Sequence, residues 1–305
     1  MTLAPTTGND APGAENAAVV VVGSLHYDIM VDAPGRPRKG ETVAGRSWAP
    51  KFGGKGGNQA VAARRQGVST AMVGAVGKDG FGEALLAGLD RAKVDRRGVA
   101  VFDGLGSGMS VAIFDDEGDY GAVIVSGANL AIAPEQASDA LLSHGKVLVL
   151  QNEIPELVNE AVARRARERG LTIIINAAPA RAFATSLPHL IDVLVVNAIE
   201  AEMLGGGRVS SLETAAQAAA ALASRFKAAV VTAGGDGVAF CAENGQCATL
   251  PGLKVTVAST HGAGDTFVGA LAARLARGEA MSGALTVANL EAAKLVATPE
   301  SARTF

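Results

Sequence analysis

Near the C-terminal end, Ser259-Thr260-His261-Gly262-Ala263-Gly264-Asp265-Thr266-Phe267 places two glycines and a carboxylate between a β-prone run, Leu253 to Ala258, and an apolar, Ala-rich segment, Phe267 to Ala276. Glycines at such a strand-to-helix junction let backbone amides converge on one point, and the new helix adds the positive end of its dipole. Gly262, Ala263 and Gly264 therefore read as an anion hole, with phosphate as the anion. Asp265 falls in the first helical turn, where a phosphate needs no second negative charge. A carboxylate there is explained if it takes the proton of an attacking hydroxyl. Read singly, Asp265 serves equally well as an acid favouring the helix start.

A second stretch, Phe52-Gly53-Gly54-Lys55-Gly56-Gly57-Asn58-Gln59-Ala60-Val61-Ala62, brackets one lysine with four glycines before an Ala-rich helix. The dinucleotide spacing G-x-G-x-x-G is absent, and Lys55 lacks the spacer and following Ser or Thr of a Walker loop. Taken with the distal Gly-Ala-Gly-Asp-Thr-Phe, this stretch resembles the ribokinase family of carbohydrate kinases, of the phosphofructokinase-B type. The resemblance runs from about Val19 to Thr298.

That resemblance implies ATP-dependent phosphorylation of a primary sugar hydroxyl, with Asp265 as base. It implies a sugar site of Asp28, Gly54, Lys55, Asn58 and Glu153, with Asp28 gripping two hydroxyls at the exit of the first strand. His26 stands where the family's ribokinases usually carry asparagine; it is either a sugar ligand or a residue packed beneath a lid. Asn197-Ala198-Ile199-Glu200 matches an N-x-x-E motif whose glutamate organises magnesium through water. The same four residues also make an ordinary capping box. Thr232-Ala233-Gly234-Gly235-Asp236-Gly237 resembles the ATP loop, and Asn289 aligns near the adenine. The family's potassium ion is held in part by an aspartate where this chain has Ser259. The C-terminal glycine loop that completes that site is here Thr298-Pro299-Glu300-Ser301-Ala302. Little potassium activation is therefore expected. Ribose leads among sugars because the glycine-rich stretch and Ser126-Gly127-Ala128-Asn129 are ribokinase-like. Two rivals remain. A nucleoside kinase would need a base-binding wall, for which Tyr27, Trp48 and Phe114 are available; a non-catalytic sugar-binding regulator would not need Asp265.

The elements that must position these residues follow from hydrophobic patterning. Short apolar strands (Ala18 to Val22, Thr70 to Val76, Lys146 to Leu150, Thr172 to Ile175, Val193 to Val196, Ala229 to Thr232) alternate with helices (Asn58 to Gln66, Phe81 to Ala92, Pro155 to Arg169, Ala201 to Leu204, Leu212 to Phe226). Alternation of this kind predicts an α/β fold with a doubly wound, mostly parallel sheet, whose ligands bind beyond the carboxyl ends of the strands. Two regions, about 29–52 and 106–125, read as strands without helices and predict a small antiparallel β lid, including a hairpin across Asp115 to Asp119. Residues 1–16 read as a disordered tail, and 17–305 as one kinase domain with lid insertions.

The 305 residues, 49% hydrophobic, suffice for one large α/β domain. A net charge of −3 argues against a nucleic-acid partner held by phosphate neutralisation. No apolar run reaches the about 18 residues needed to span a bilayer, so no membrane partner is expected. Cys241 and Cys247 flank a turn and could face each other across a hairpin. A chain with two cysteines and no secretion signal is nonetheless expected to be cytoplasmic and reduced. Small-molecule sugar and ATP are the expected partners, with homodimerisation through the lid left open.

Overall fold

The structure, a computed structural model, describes residues 16–117, 120–183 and 186–303. The first half comprises β1 (Val19–Val22), β2 (His26–Asp32), β3 (Ser47–Gly53), α1 (Lys55–Arg65), β4 (Thr70–Gly77), α2 (Gly80–Arg91), β5 (Asp95–Phe102), β6 (Met109–Phe114) and β7 (Tyr120–Val125). The second half comprises α3 (Asp139–Leu142), β8 (Val147–Gln151), α4 (Glu156–Glu168), β9 (Thr172–Asn176), β10 (Val193–Asn197), α5 (Ala198–Met203), α6 (Leu212–Ala223), β11 (Ala228–Thr232), β12 (Gly237–Ala242), β13 (Cys247–Pro251), α7 (Ala263–Ala276) and α8 (Met281–Ala297).

Nine strands form the main sheet in the order β13-β12-β11-β10-β9-β8-β1-β4-β5. It is parallel from β11 to β5, and only the β11–β12 and β12–β13 pairings are antiparallel. β1 is four valines and every residue of β1, β4 and β8 is buried, as strands covered on both faces require. One apolar cluster packs α1, α2, α7 and α8 on one face; the other packs α4 and α6 on the opposite face. This is the doubly wound architecture that the patterning predicts. β1 lies between β4 and β8, so the chain winds outward in both directions from it, and the crevice at that reversal is where such folds bind ligands.

The lid is a separate four-stranded sheet, β3-β2-β6-β7. β2–β3 and β6–β7 pair antiparallel, whereas β2–β6 runs parallel. Its splices to the body are short: residues 23–25 join β1 to β2, and Gly54 alone separates β3 from α1. β2 starts at His26, so His26 and Asp28 are lid residues and not part of a loop at the strand exit.

Three further expectations change. α1 begins at Lys55, so Gly56 and Gly57 are helical; a Cβ on Gly56 would lie 2.7 Å from the backbone at Gly23 and Ser24. These glycines let the helix start press against the end of β1. Leu253 to Ala258 forms no strand: the amides of Ala258 and Ser259 donate to the Val296 carbonyl, and no strand partner runs alongside. Cys241 and Cys247 are joined in a disulfide, contrary to the reduced state expected. They stand directly opposite in the β12–β13 register, with Cα atoms 4.1 Å apart, which brings the two thiols into bonding reach. Of the tail expected at 1–16, only Asn16 lies within the described residues.

Candidate active site

Asp265 sits in the first turn of α7, buried, behind a left-handed N-cap at Gly262 (φ 77°) that offers no side-chain cap to the helix amides. A non-glycine residue would be strained at that φ. A Cβ on Gly264 would meet nothing within 4 Å, so this face of the turn is open to a ligand. The amide of Ala263 is donated to the Thr260 carbonyl at 3.2 Å, which makes Gly262 and Gly264 the readier donors of the expected three.

α7 meets α1 at backbone distance because of Gly269, one helical turn beyond Asp265. A Cβ there would come within 2.5 Å of Ala62 Cβ and 2.6 Å of the Gln59 carbonyl oxygen. The close crossing lets α1 reach the carboxylate. Asn58 Nδ2 donates to Asp265 Oδ2 at 3.0 Å, and Gln59 Nε2 donates to Oδ1 at 2.9 Å. Gln59 is fully buried and spends its whole amide: it also donates to Asn176 Oδ1 (3.0 Å) and accepts from Gln151 Nε2 (2.8 Å). Asn58, which the sequence assigns to the sugar, thus turns its amide nitrogen to Asp265. Gln59 was missed as a functional residue, although a fully polar side chain on the Ala-rich face of a helix is a signal that was there to read.

Burial pushes the Asp265 carboxyl above the usual carboxylate range, against the opposing pull of Lys55 and the two amide donors. A base so placed binds a proton more readily than an exposed aspartate does. Glu200 is also raised by burial. Its Oε2 accepts from the Asn197 amide and its own amide donates to Asn197 Oδ1, each at 2.9 Å, so the capping box is formed. Glu200 nonetheless faces the same cavity as Asp265, Lys55, Asn176, Asn197, Thr232, Gly262 and Gly264, a space of about 180 Å³.

Two larger cavities adjoin it. One, about 560 Å³, is lined by His26, Lys55, Asn152, Glu153, Arg181 and Glu200 among others. Glu153 Oε2 accepts from the Lys55 amide at 2.9 Å and from the Ser24 hydroxyl, and lies 3.9 Å from His26 Nδ1. His26 is buried and its Nε2 has no hydrogen-bond partner. Asp28 lies behind this wall, its carboxyl accepting from Ser110 Oγ at 2.5 Å and raised by burial. Gly54, the N-cap of α1 at φ 84°, sits against the backbone of Ser24, Leu25 and His26. The other cavity, about 440 Å³, is lined by Thr232, Gly234, Gly235, Gly237 and Asn289, and by Leu253, Val255, Val257, Phe267 and Val296. Asn289 Nδ2 donates to the Pro251 carbonyl at 3.1 Å. The apolar alternation that suggested a strand at 253–258 instead supplies one wall of this cavity. Leu253, Val255 and Val257 are left partly exposed there.

The three spaces are continuous. Lys55 and Glu200 line both the 180 Å³ and the 560 Å³ spaces, and Thr232, Gly264 and Phe267 line both the 180 Å³ and the 440 Å³ spaces. Asp265 stands at the middle of one groove with a polar end and an apolar end.

The family model described as pfkB family carbohydrate kinase matches residues 16–304, and the chain belongs to that family. Similar curated proteins include the ribokinase of Bacillus subtilis, 36% identical over 273 residues (89% of this chain and 90% of that one). The ribokinase of Mus musculus is 36% identical over 267 residues (86% and 83%). Among solved structures, Arabidopsis thaliana ribokinase complexed with ribose and ATP superposes with a TM-score of 0.87 at 28% identity, covering 93% of this chain and 94% of that one.

Proposed function

We propose that this carbohydrate kinase transfers the γ-phosphoryl group of ATP to the primary hydroxyl of ribose or a closely related sugar. The observation that carries the reading is the continuous groove, polar at one end and apolar at the other, with Asp265 and the open turn of α7 between. The sugar takes the space beside Lys55 and Glu153. The orphaned Nε2 of His26 gives it a buried polar partner, since an unpaired polar atom inside a protein is costly unless a ligand meets it. Asp28, positioned by Ser110, lies close behind. The purine lies against Leu253, Val255 and Val257, with Asn289 and the glycines of 234–237 allowing close approach. Asp265 accepts the hydroxyl proton as the new oxygen–phosphorus bond forms and the β–γ bridging bond breaks, and ADP leaves. Gly262 and Gly264 amides and Lys55 face the developing charge; preorganised donors of this kind contribute about 10²–10³ each in rate.

Magnesium fits the middle cavity, where Glu200 keeps one carboxylate oxygen outside its capping bond and few other carboxylates compete. There it would neutralise phosphate charge through its water shell. Residues 17–305 act as one kinase domain, with its lid near 26–53 and 109–125. Exposed Val123, Ile124 and Val125 on the edge strand β7 favour pairing of two copies through the lid. The cytoplasm, where ATP is abundant, is the compartment this reading assigns. Among the described residues no helix is long and apolar enough to cross a membrane.

The nucleoside-kinase alternative gains little. Tyr27 is stacked on Phe81 at 4.4 Å, and Tyr27, Trp48 and Phe114 are all absent from the lining of the sugar cavity. ADP release measured on ribose, fructose, adenosine and inosine tests the choice. Turnover fastest on ribose is expected, and a preference for either nucleoside would overturn the assignment.

A further inference from the structure

Arg303 follows the short 3-10 turn Glu300–Ala302, yet its side chain is only 7% exposed. Its guanidinium closes on four backbone carbonyls from two segments. Nη1 donates to His261 (2.8 Å), Nη2 to Ser259 (2.8 Å) and Leu295 (3.0 Å), and Nε to Thr298 (3.0 Å). Ser259 and His261 belong to the loop that delivers Gly262, the N-cap of α7. Leu295 and Thr298 are the last turn and C-cap of α8. Glu300 completes the cluster, 4.0 Å from Arg303 and bonded by Ser259 Oγ (2.6 Å) and Lys51 Nζ (3.0 Å).

Converging carbonyl oxygens are the lining that replaces the hydration shell of a monovalent cation. The potassium site that the family resemblance implies draws on these same segments, around 259 and 298–302, but the residues here do not fit it. The side chain at 259 is a neutral hydroxyl, and the carbonyls are already bound by a side chain. Guanidinium carries five N–H donors in a rigid plane together with a delocalised positive charge, so it serves as a cation fixed in the chain.

We infer that Arg303 is a positioning residue for phosphoryl transfer: its guanidinium is a cation built into the chain that ties the 259–262 loop to the end of α8. It thereby fixes the amides of Gly262 and Gly264 and makes potassium unnecessary. The inference rests on the kinase reading and on the geometry of the clamp together.

The test compares the full-length wild type, Arg303→Ala and Arg303→Lys in potassium and in tetramethylammonium salts. Wild-type kcat should change by less than about twofold between the two, as for general salt effects alone. Arg303→Ala should lose about 10²-fold in kcat with sugar KM changed little, because displaced donors cost rate more than binding. Potassium or free guanidinium should restore at least about tenfold of that loss. Arg303→Lys, which keeps the charge but cannot bridge both segments, should fall between. Potassium should also raise the melting temperature of Arg303→Ala and leave the wild type unmoved, a readout that needs no turnover. Strong potassium activation of the wild type, or an Arg303→Ala variant with normal kcat, overturns the inference. If Arg303→Ala does not fold, the wild-type potassium response and Arg303→Lys decide it alone. A wild type that turns over no sugar sinks the kinase reading, while the melting shifts still judge the clamp.

Discussion

The middle of the groove and its apolar end are built by opposite means. Around Asp265 the hydrogen bonds are specified by side chains: the half-buried Asn58 and the buried Gln59 donate to it, with Gln151 and Asn176 buried behind them. The end proposed for the nucleotide is shaped by glycine backbone at 234, 235 and 237 and by a sparse apolar wall, with Thr232, Lys254, Thr260 and Asn289 as its polar side chains. The first arrangement holds a charge in one place; the second recognises a flat surface by shape and tolerates adjustment. Substitutions at the first should therefore move kcat, and substitutions at the second should move KM.

The hardest blow to this contrast is Asp265→Asn, which removes the proton acceptor while keeping the shape. A loss of about 10²–10⁴ in kcat is expected, with sugar affinity retained by calorimetry. Near-normal turnover would take Asp265 out of the mechanism. Because burial raises its pKa, the carboxylate is lost as pH falls at a higher pH than for an exposed aspartate. The acid limb of kcat/KM should accordingly lie above the ordinary aspartate value of about 3.9 and vanish in the variant.

Gln59→Leu tests whether the base needs its support. One donor to Asp265 is lost and Gln151 loses its acceptor, so kcat should drop about 10–10²-fold with KM nearly constant. Stability should fall by about 1–3 kcal/mol in chemical denaturation, the cost of a buried group left unpaired. A change in KM alone would show that the network binds and does not orient.

Glu200→Gln separates charge from structure, since glutamine satisfies a capping box as glutamate does. α5 should persist, and the magnesium concentration for half-maximal rate should rise about threefold as the metal's water shell loses an anionic acceptor. An unchanged magnesium titration would leave Glu200 as a cap. The mildest change is Asn289→Ala, for which ATP KM should rise about two- to fivefold at constant kcat. A kcat defect there would erase the distinction between the two regions.

Legibility in the sequence followed the same divide. The anion-hole turn, the glycine-bracketed lysine and the N-x-x-E box are each contiguous in the chain, so their spacing could be read there, although the packing of Gly54 and Gly56 against residues 23–26 could not. Gln59 is marked as unusual by its place on an Ala-rich helix face, but its partners, like the 259–261 carbonyls that Arg303 meets, lie far away along the chain and cannot be read locally. β5 was hidden because it opens on Asp95-Arg96-Arg97, whose charges mask the apolar residues after them. Leu253, Val255 and Val257 alternate as a strand does but have no neighbouring edge to join. Cys241 and Cys247 were placed on opposite arms of the hairpin; compartment reasoning misassigned their redox state, and direct register decided it.

The short splices at 23–25 and at Gly54 give the lid a second role. The strand bearing His26 and Asp28 and the strand feeding the helix of Asn58 and Gln59 are neighbours in one small sheet. In the proposed sugar site, a sugar held by His26 would therefore pull on the polypeptide that seats the second group against Asp265. Occupancy would then be converted into alignment by a mechanical linkage only a few residues long. Water, small enough to enter but unable to grip either strand, would leave that linkage slack, and ATP should then survive in the enzyme until a true acceptor arrives.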